Sequence, residues 1–109
     1  MDGSINRQSD MISEIEKIKR VLCPIAVKYG VQKVSMFGSR AKNSATESSD
    51  YDFLISKGKV DSILSYVSFV NELEEAFGTH VDVVTDTSDD EKIIETARKD
   101  GILLYEYKG

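Results

Sequence analysis

Four short runs of β-branched and aromatic residues alternate with longer amphipathic stretches, which restricts the chain to a small layered fold. The runs are Lys33–Phe37, Tyr51–Ser56, Val81–Thr85 and Ile102–Tyr107. Residues of these types suit a pleated and partly buried surface. Because stretches of helical period lie between the runs, the pattern predicts an α+β fold (an α/β sandwich) with helices packed on a short mixed sheet of three to four strands.

Three helical patterns supply the packing faces of the predicted helices. The first has an apolar stripe of residues three or four apart, namely Ile12, Ile15, Ile18, Leu22, Ile25 and Tyr29. Pro24 lies inside it, and we expect the helix to kink or restart there. The second spans about 61–77, with a predicted buried face of Ile63, Val67, Val70, Leu73 and Phe77. The third opens at Ser88-Asp89-Asp90-Glu91, which has capping-box spacing.

Three glycines mark the predicted helix ends. Gly30, Gly78 and Gly101 each follow a helical pattern and precede an apolar run. We therefore expect each helix to end in a left-handed residue. The 109 residues fit one domain, which we place at 10–109, after a flexible N-terminus at 1–9.

Charge and composition exclude several classes of protein. The net charge is −5, from 19 acidic and 14 basic side chains, so we expect no direct binding to nucleic acid, which usually requires a basic face. No apolar run approaches the roughly 18 residues of a membrane span, and the start of the chain lacks the pattern of a signal peptide. Cys23 is the only cysteine, so an internal disulfide is impossible. These features predict a cytoplasmic protein.

The polar residues with the most distinctive spacing lie around the first two strands. Ten residues separate Gly38-Ser39 from Asp50-Tyr51-Asp52, and Asp82 follows in a valine-rich run. Glycine permits a close approach of the backbone to a ligand, and a serine turn offers a hydroxyl and N–H groups to phosphate oxygens. Arg40 adds a cation suited to phosphate. We predict that Gly38, Ser39 and Arg40 contact the phosphates of a nucleotide.

The three aspartates are the candidate catalytic and metal-binding residues. Asp50 and Asp52 are alternate residues of a strand and so point to one face. Asp82 lies within an apolar strand, where an acid is costly unless it is paired or bound to metal. Carboxylates that share a site repel each other without a cation, and Mg²⁺ prefers oxygen ligands. The set therefore predicts two Mg²⁺ ions at Asp50, Asp52 and Asp82, and phosphoryl or nucleotidyl transfer.

Other reactive residues give weaker signals. His80 is the only histidine, and we interpret it as a loop residue. The chain has no recognisable combination of serine, histidine and aspartate for hydrolysis by a protein nucleophile.

At these residues the sequence resembles the DNA polymerase β-type nucleotidyltransferase superfamily, and in particular its minimal nucleotidyltransferase (MNT) branch. The segments that carry the resemblance are Gly38-Ser39-Arg40-Ala41, Ser49-Asp50-Tyr51-Asp52-Phe53-Leu54 and Val81-Asp82-Val83-Val84. The similarity covers about residues 10–107. It implies that Ser39 contacts the triphosphate, that Asp50 and Asp52 bind the metals, and that Asp82 completes the metal site or acts as base.

The resemblance also implies a biological role. Proteins of the MNT branch are often antitoxins whose partner is a HEPN-domain ribonuclease, and they transfer AMP from ATP to a tyrosine of that toxin. By this similarity we expect ATP as substrate, Mg²⁺ as cofactor, and a hetero-oligomer with a HEPN-type toxin.

Two alternatives stay open from the sequence. The first is the same chemistry with a small-molecule acceptor, such as an aminoglycoside. The second is an antitoxin without catalysis, which blocks its partner by binding through Tyr105 and Tyr107 or through the first helix.

Overall fold

A computed structural model of the chain describes residues 3–38, 41, 50–87 and 91–107. Three helices and four strands are found in these ranges. The helices are α1 (Gly3–Tyr29), α2 (Ile63–Phe77) and α3 (Glu91–Asp100), and the strands are β1 (Lys33–Phe37), β2 (Tyr51–Ser56), β3 (Val81–Thr85) and β4 (Ile102–Glu106). The predicted strands are confirmed, except that the last one ends one residue earlier than expected.

The four strands form one mixed sheet in the order β3-β2-β1-β4. β1 pairs antiparallel with both β2 and β4, while β2 and β3 run parallel. The parallel pair requires a crossover, and α2 provides it. The α+β fold with helices packed on a short mixed sheet is confirmed.

Helices cover both faces of the sheet to different extents. α1 and α2 pack on one face, where they form the main core with strand residues such as Val34, Phe53 and Ile55, all fully buried. The second face carries a smaller cluster in which Ile94 and Ala97 of α3 contact Leu54. Because strand residues alternate between faces, Asp52 shares the lightly covered face with Leu54.

The buried face of α2 differs from the sequence prediction. Phe69 and Leu73 are fully buried, but Ile63 is 82% exposed and Val67 is 47% exposed. Apolar residues occupy nearly every side of this helix, so several faces satisfy a helical period. The buried face of α2 includes Phe69, whose ring lies against Tyr29 of α1 with ring centroids 5.6 Å apart. This face is favoured because a large ring buries more apolar surface than a valine does.

Helix ends follow the predicted chemistry at two of three glycines. Gly30 and Gly78 have positive φ angles of 72° and 69°. Gly101 does not have a positive φ; instead, a Cβ atom at this position would collide with the Ala97 carbonyl oxygen. The prediction of a left-handed residue at Gly101 was therefore wrong. Close packing against Ala97, and not a left-handed turn, requires glycine there.

The first helix is longer than the sequence pattern indicates. It is continuous through Pro24 and begins at Gly3, inside the stretch 1–9 that we predict to be flexible, and that flexibility stays a prediction. Among the described residues, no helix combines the length and apolar character needed to cross a bilayer.

Candidate active site

Strand pairing brings Gly38 and the predicted aspartates together at one end of the sheet. Asp52 lies opposite Phe37 in the β1–β2 ladder and opposite Asp82 in the β2–β3 ladder. Gly38, which follows Phe37 directly, is therefore adjacent to Asp52. Paired residues of parallel strands point to the same face, so the Asp52 and Asp82 side chains meet.

A cluster of ligand atoms forms around these strands. One side-chain oxygen or nitrogen from each of Asp50, His80 and Asp82 lies within 4.8 Å of the others, and all three side chains are exposed. Asp52, which is less exposed, lies beside Asp82 in the β2–β3 ladder. We call Asp50, Asp52, His80 and Asp82 the acidic cluster. The three aspartates chosen from the sequence lie together in it.

The electrostatics of the cluster match a cation site. Burial raises the pKa of the Asp52 carboxyl, and the nearby Asp82 and Asp50 carboxylates raise it further, while His80 opposes them. Carboxylates that share a site repel each other when they are ionised. A divalent cation would remove this repulsion. The oxygen-rich donor set therefore fits the metal that the fold family implies.

Gly38 is in van der Waals contact with the cluster. Its φ is +78°, and a Cβ atom added there would overlap the Asp52 Oδ2 atom. Both the backbone conformation and the close approach require glycine. Of the predicted phosphate-binding turn, Ser39 and Arg40 lie outside the described residues, so their contacts with a nucleotide stay predictions.

His80 lies in the loop before β3, as expected from the sequence, and it also contacts two carboxylates. It immediately precedes β3, and its Nε2 atom lies 2.8 Å from Asp82 Oδ1 while its Nδ1 atom lies 2.9 Å from Glu74 Oε2. The hydrogen bond to Asp82 and the surrounding carboxylates raise the pKa of His80. Because residues two apart on a strand share a face, the spacing His80-x-Asp82 could have indicated this contact.

Asp82 is expected from the sequence to be paired or bound to metal because it lies in an apolar strand, and the structure pairs it with His80. The side chain of Asp82 is 53% exposed, and β3 is an edge strand of the sheet. Asp82 also lies beside Asp52 in the β2–β3 ladder.

The family described as "Polymerase beta, Nucleotidyltransferase" matches residues 16–108 of the chain. The chain belongs to this family. The resemblance that the motif indicates is therefore confirmed, and the protein is a nucleotidyltransferase.

Two curated relatives support the same assignment. A protein of Methanocaldococcus jannaschii, named "Putative protein adenylyltransferase MJ0435", is 46% identical over 71 residues, which cover 65% of this chain and 76% of that protein. "Protein adenylyltransferase MntA" of Thermococcus cleftensis is 28% identical over 94 residues, covering 83% of this chain and 95% of that protein.

A solved structure shares the fold. It is described as the tri-AMPylated HEPN toxin of Shewanella oneidensis in complex with an MNT antitoxin, and a chain in it superposes with a TM-score of 0.66 at 15% identity. The match covers 85% of this chain and 73% of that chain. At this identity the comparison shows the fold of the nucleotidyltransferase.

We expect Gly38→Ala to lower kcat/KM for nucleotidyl transfer by about tenfold or more, because the new methyl group displaces the Asp52 carboxylate. Gly78→Ala is the matched control, since Gly78 has a similar φ of +69° and open space around it. Both variants should lose about 1–2 kcal/mol of stability from the left-handed backbone. Steady-state kinetics and urea unfolding of both variants measure the two effects, and equal activities would contradict the contact with Asp52.

Proposed function

We propose that this nucleotidyltransferase transfers AMP from ATP to a tyrosine hydroxyl of a HEPN ribonuclease toxin and thereby acts as its antitoxin. The observation that carries the proposal is the acidic cluster beside Gly38, which combines three carboxylates with a turn suited to phosphates. The adenylyltransferase relatives and the likeness to a toxin–antitoxin complex favour ATP as donor and a protein as acceptor. We infer a cytoplasmic setting, where ATP is available.

Each residue of the site has a proposed role. Asp50 and Asp52 would hold Mg²⁺, and Asp82 would complete that metal site or accept the proton of the incoming hydroxyl. Gly38 lets the backbone approach the triphosphate, and Ser39 and Arg40 would contact its oxygens. When bound, Mg²⁺ neutralises the charge of the triphosphate and of the departing pyrophosphate.

The reaction balances with one acceptor hydroxyl and one ATP. The acceptor oxygen forms a bond to the α-phosphorus, and the bond from that phosphorus to the oxygen bridging to the β-phosphate breaks. Pyrophosphate leaves with the bonding electrons, and the hydroxyl proton passes to a carboxylate of the cluster. The side chains act mainly by positioning the reactants and by stabilising charge.

The exposure of the cluster favours a protein acceptor over a small molecule. Asp50, His80 and Asp82 are all exposed, whereas a small-molecule site usually encloses most of its ligand. Because the cluster is exposed at the end of the strands, a tyrosine on another protein can reach the α-phosphate. The partner can supply the remaining walls of the site.

A labelling experiment tests the proposal. The full chain is incubated with Mg²⁺, ATP and the protein encoded by the neighbouring open reading frame. We expect label from [α-³²P]ATP on the partner, no label from [γ-³²P]ATP, and no transfer after chelation of the metal. Digestion and mass spectrometry should place the AMP on tyrosine.

Two results would overturn the proposal. An unlabelled partner, with a chain that still binds ATP, would exclude transfer to that protein. Toxin neutralisation at full strength without any AMP transfer would instead identify an antitoxin that acts by binding alone.

A further inference from the structure

We propose that His80 supplies a nitrogen ligand to the divalent cation at the acidic cluster, with Glu74 holding the imidazole ring in place. The site would then favour a divalent transition metal such as Mn²⁺ over Mg²⁺. This inference rests on the cation site of the proposed function. It changes the ligand set predicted from the sequence, which consisted of three carboxylates.

The interatomic distances fit a shared cation. His80 Nε2 lies 2.8 Å from Asp82 Oδ1, and one ligand atom from each of Asp50, His80 and Asp82 lies within 4.8 Å of the other two. Neighbouring ligands of one octahedral ion are about 3 Å apart when each is about 2.1 Å from the metal. The imidazole nitrogen and the Asp82 oxygen therefore lie at the separation that adjacent ligands need, and Asp50 is within reach of the same position.

Glu74 determines which ring nitrogen faces the cluster. Its Oε2 atom lies 2.9 Å from His80 Nδ1 and also accepts the Val81 N–H at 3.1 Å. A carboxylate accepts only, so Nδ1 donates its hydrogen to Glu74, while Nε2 faces Asp82 and donates there until a cation takes the place of its hydrogen. Metal-binding histidines usually donate their second N–H to a carboxylate in this way.

The backbone around His80 is fixed on two sides. Tyr51 N–H donates to the His80 carbonyl oxygen at 3.4 Å, next to Asp50. Glu74 belongs to the last turn of α2, whose end is fixed by the left-handed cap at Gly78. The imidazole is therefore oriented before any cation binds, which lowers the entropic cost of forming the site.

A nitrogen ligand changes the preference among metals. Carboxylate and water oxygens suit Mg²⁺, whereas imidazole favours divalent transition metals. Mn²⁺ accepts the same octahedral geometry as Mg²⁺ and binds oxygen and nitrogen together. A set of one imidazole with aspartates should therefore prefer Mn²⁺ over Mg²⁺ more strongly than three aspartates would.

The single histidine of the chain makes the proposal directly testable by spectroscopy. The full chain, prepared without a histidine tag, is loaded with Mn²⁺ in the absence of nucleotide and measured by electron spin echo envelope modulation. We expect ¹⁴N modulation from a directly bound imidazole, which ¹⁵N-histidine labelling should replace with a ¹⁵N signal. In His80→Gln the modulation should vanish, and Mn²⁺ affinity by titration calorimetry should fall about tenfold or more, with a smaller loss for Mg²⁺.

Glu74→Gln tests the orienting contact separately. Glutamine keeps a carbonyl oxygen for His80 Nδ1 and Val81 N–H, so the fold should persist. We expect the ¹⁴N modulation to remain while Mn²⁺ affinity falls by about tenfold, the lower part of the range for residues that orient a metal ligand.

The measurement on the unmodified chain decides the proposal even if a variant fails to fold. Bound Mn²⁺ without ¹⁴N modulation, or no Mn²⁺ binding at all, would overturn it. Neither readout depends on AMP transfer, so a chain that binds Mn²⁺ through His80 but labels no partner would refute the proposed function alone.

Discussion

Replacing Asp52 by asparagine is expected to lower kcat/KM for AMP transfer by about 10³-fold or more, equivalent to roughly 4 kcal/mol of transition-state stabilisation. Asp52 lies at the centre of the site, because it pairs with Asp82 across the parallel strands and contacts Gly38. An amide of the same shape removes the charge that would hold the metal and leaves the packing intact. Single-turnover kinetics with radiolabelled ATP measure the loss.

The same substitution should not destabilise the chain in the absence of metal. Burial and the neighbouring carboxylates raise the pKa of Asp52. The pKa of Asp52 is therefore higher in the folded chain than in the unfolded chain. As the pH rises from the unfolded pKa to the folded pKa, ionisation of Asp52 lowers the free energy of unfolding. Asparagine removes that cost, so at neutral pH the variant should melt at the same temperature or slightly higher.

Asp61→Asn is the control for this experiment. Asp61 is exposed and lies beyond the opposite end of β2 from Asp50, so its variant should transfer AMP at the normal rate. Transfer by Asp52→Asn at more than a tenth of the normal rate would contradict the role of Asp52. A large drop in the melting temperature of Asp52→Asn would show instead that Asp52 stabilises the fold.

Leu73→Ala is expected to destabilise the chain by about 2–5 kcal/mol, whereas Leu64→Ala should change stability by less than about 0.5 kcal/mol. Both leucines belong to α2 and undergo the same substitution. Leu73 is fully buried in the main core, and Leu64 is 82% exposed. The difference between the two variants therefore isolates the cavity and the lost apolar burial from any effect on helix propensity.

Urea unfolding followed by circular dichroism measures this pair. The midpoint should fall strongly for Leu73→Ala and stay nearly constant for Leu64→Ala, with a similar slope for both variants. A cost above about 1 kcal/mol at Leu64 would contradict the exposed face of α2. A small cost at Leu73 would place the core on a different side of the helix.

Prediction from the sequence was most accurate for element type and least accurate for the face of α2. Strand positions follow from β-branched and aromatic runs, whose bounds are marked by turns. In α2 the apolar residues surround the helix, so Ile63 and Val67 fit a helical period as well as Phe69 does. The side chains of α1 and of the sheet decide which face is buried, and a local pattern does not contain them.

The candidate site was also predicted in part: the sequence indicates the motif residues, and the structure adds Glu74. The spacing from Gly38 to Asp50 and Asp52 predicts a nucleotide site, because a strand places alternate carboxylates on one face next to a turn. Glu74, in contrast, belongs to α2, which carries none of the motif residues. Only the return of the chain from α2 into β3 brings this residue against His80.

The sequence by itself determined the elements, the family motif and the three aspartates, since these depend on the period and spacing of nearby residues. Tertiary structure alone decided the strand order, which pairs Asp52 with Asp82, and the approach of Gly38 to the Asp52 carboxylate. It also decided that Glu74 of α2 contacts His80. The physical reason is that such contacts form between elements distant in the chain, whose relative positions are set by packing the whole core.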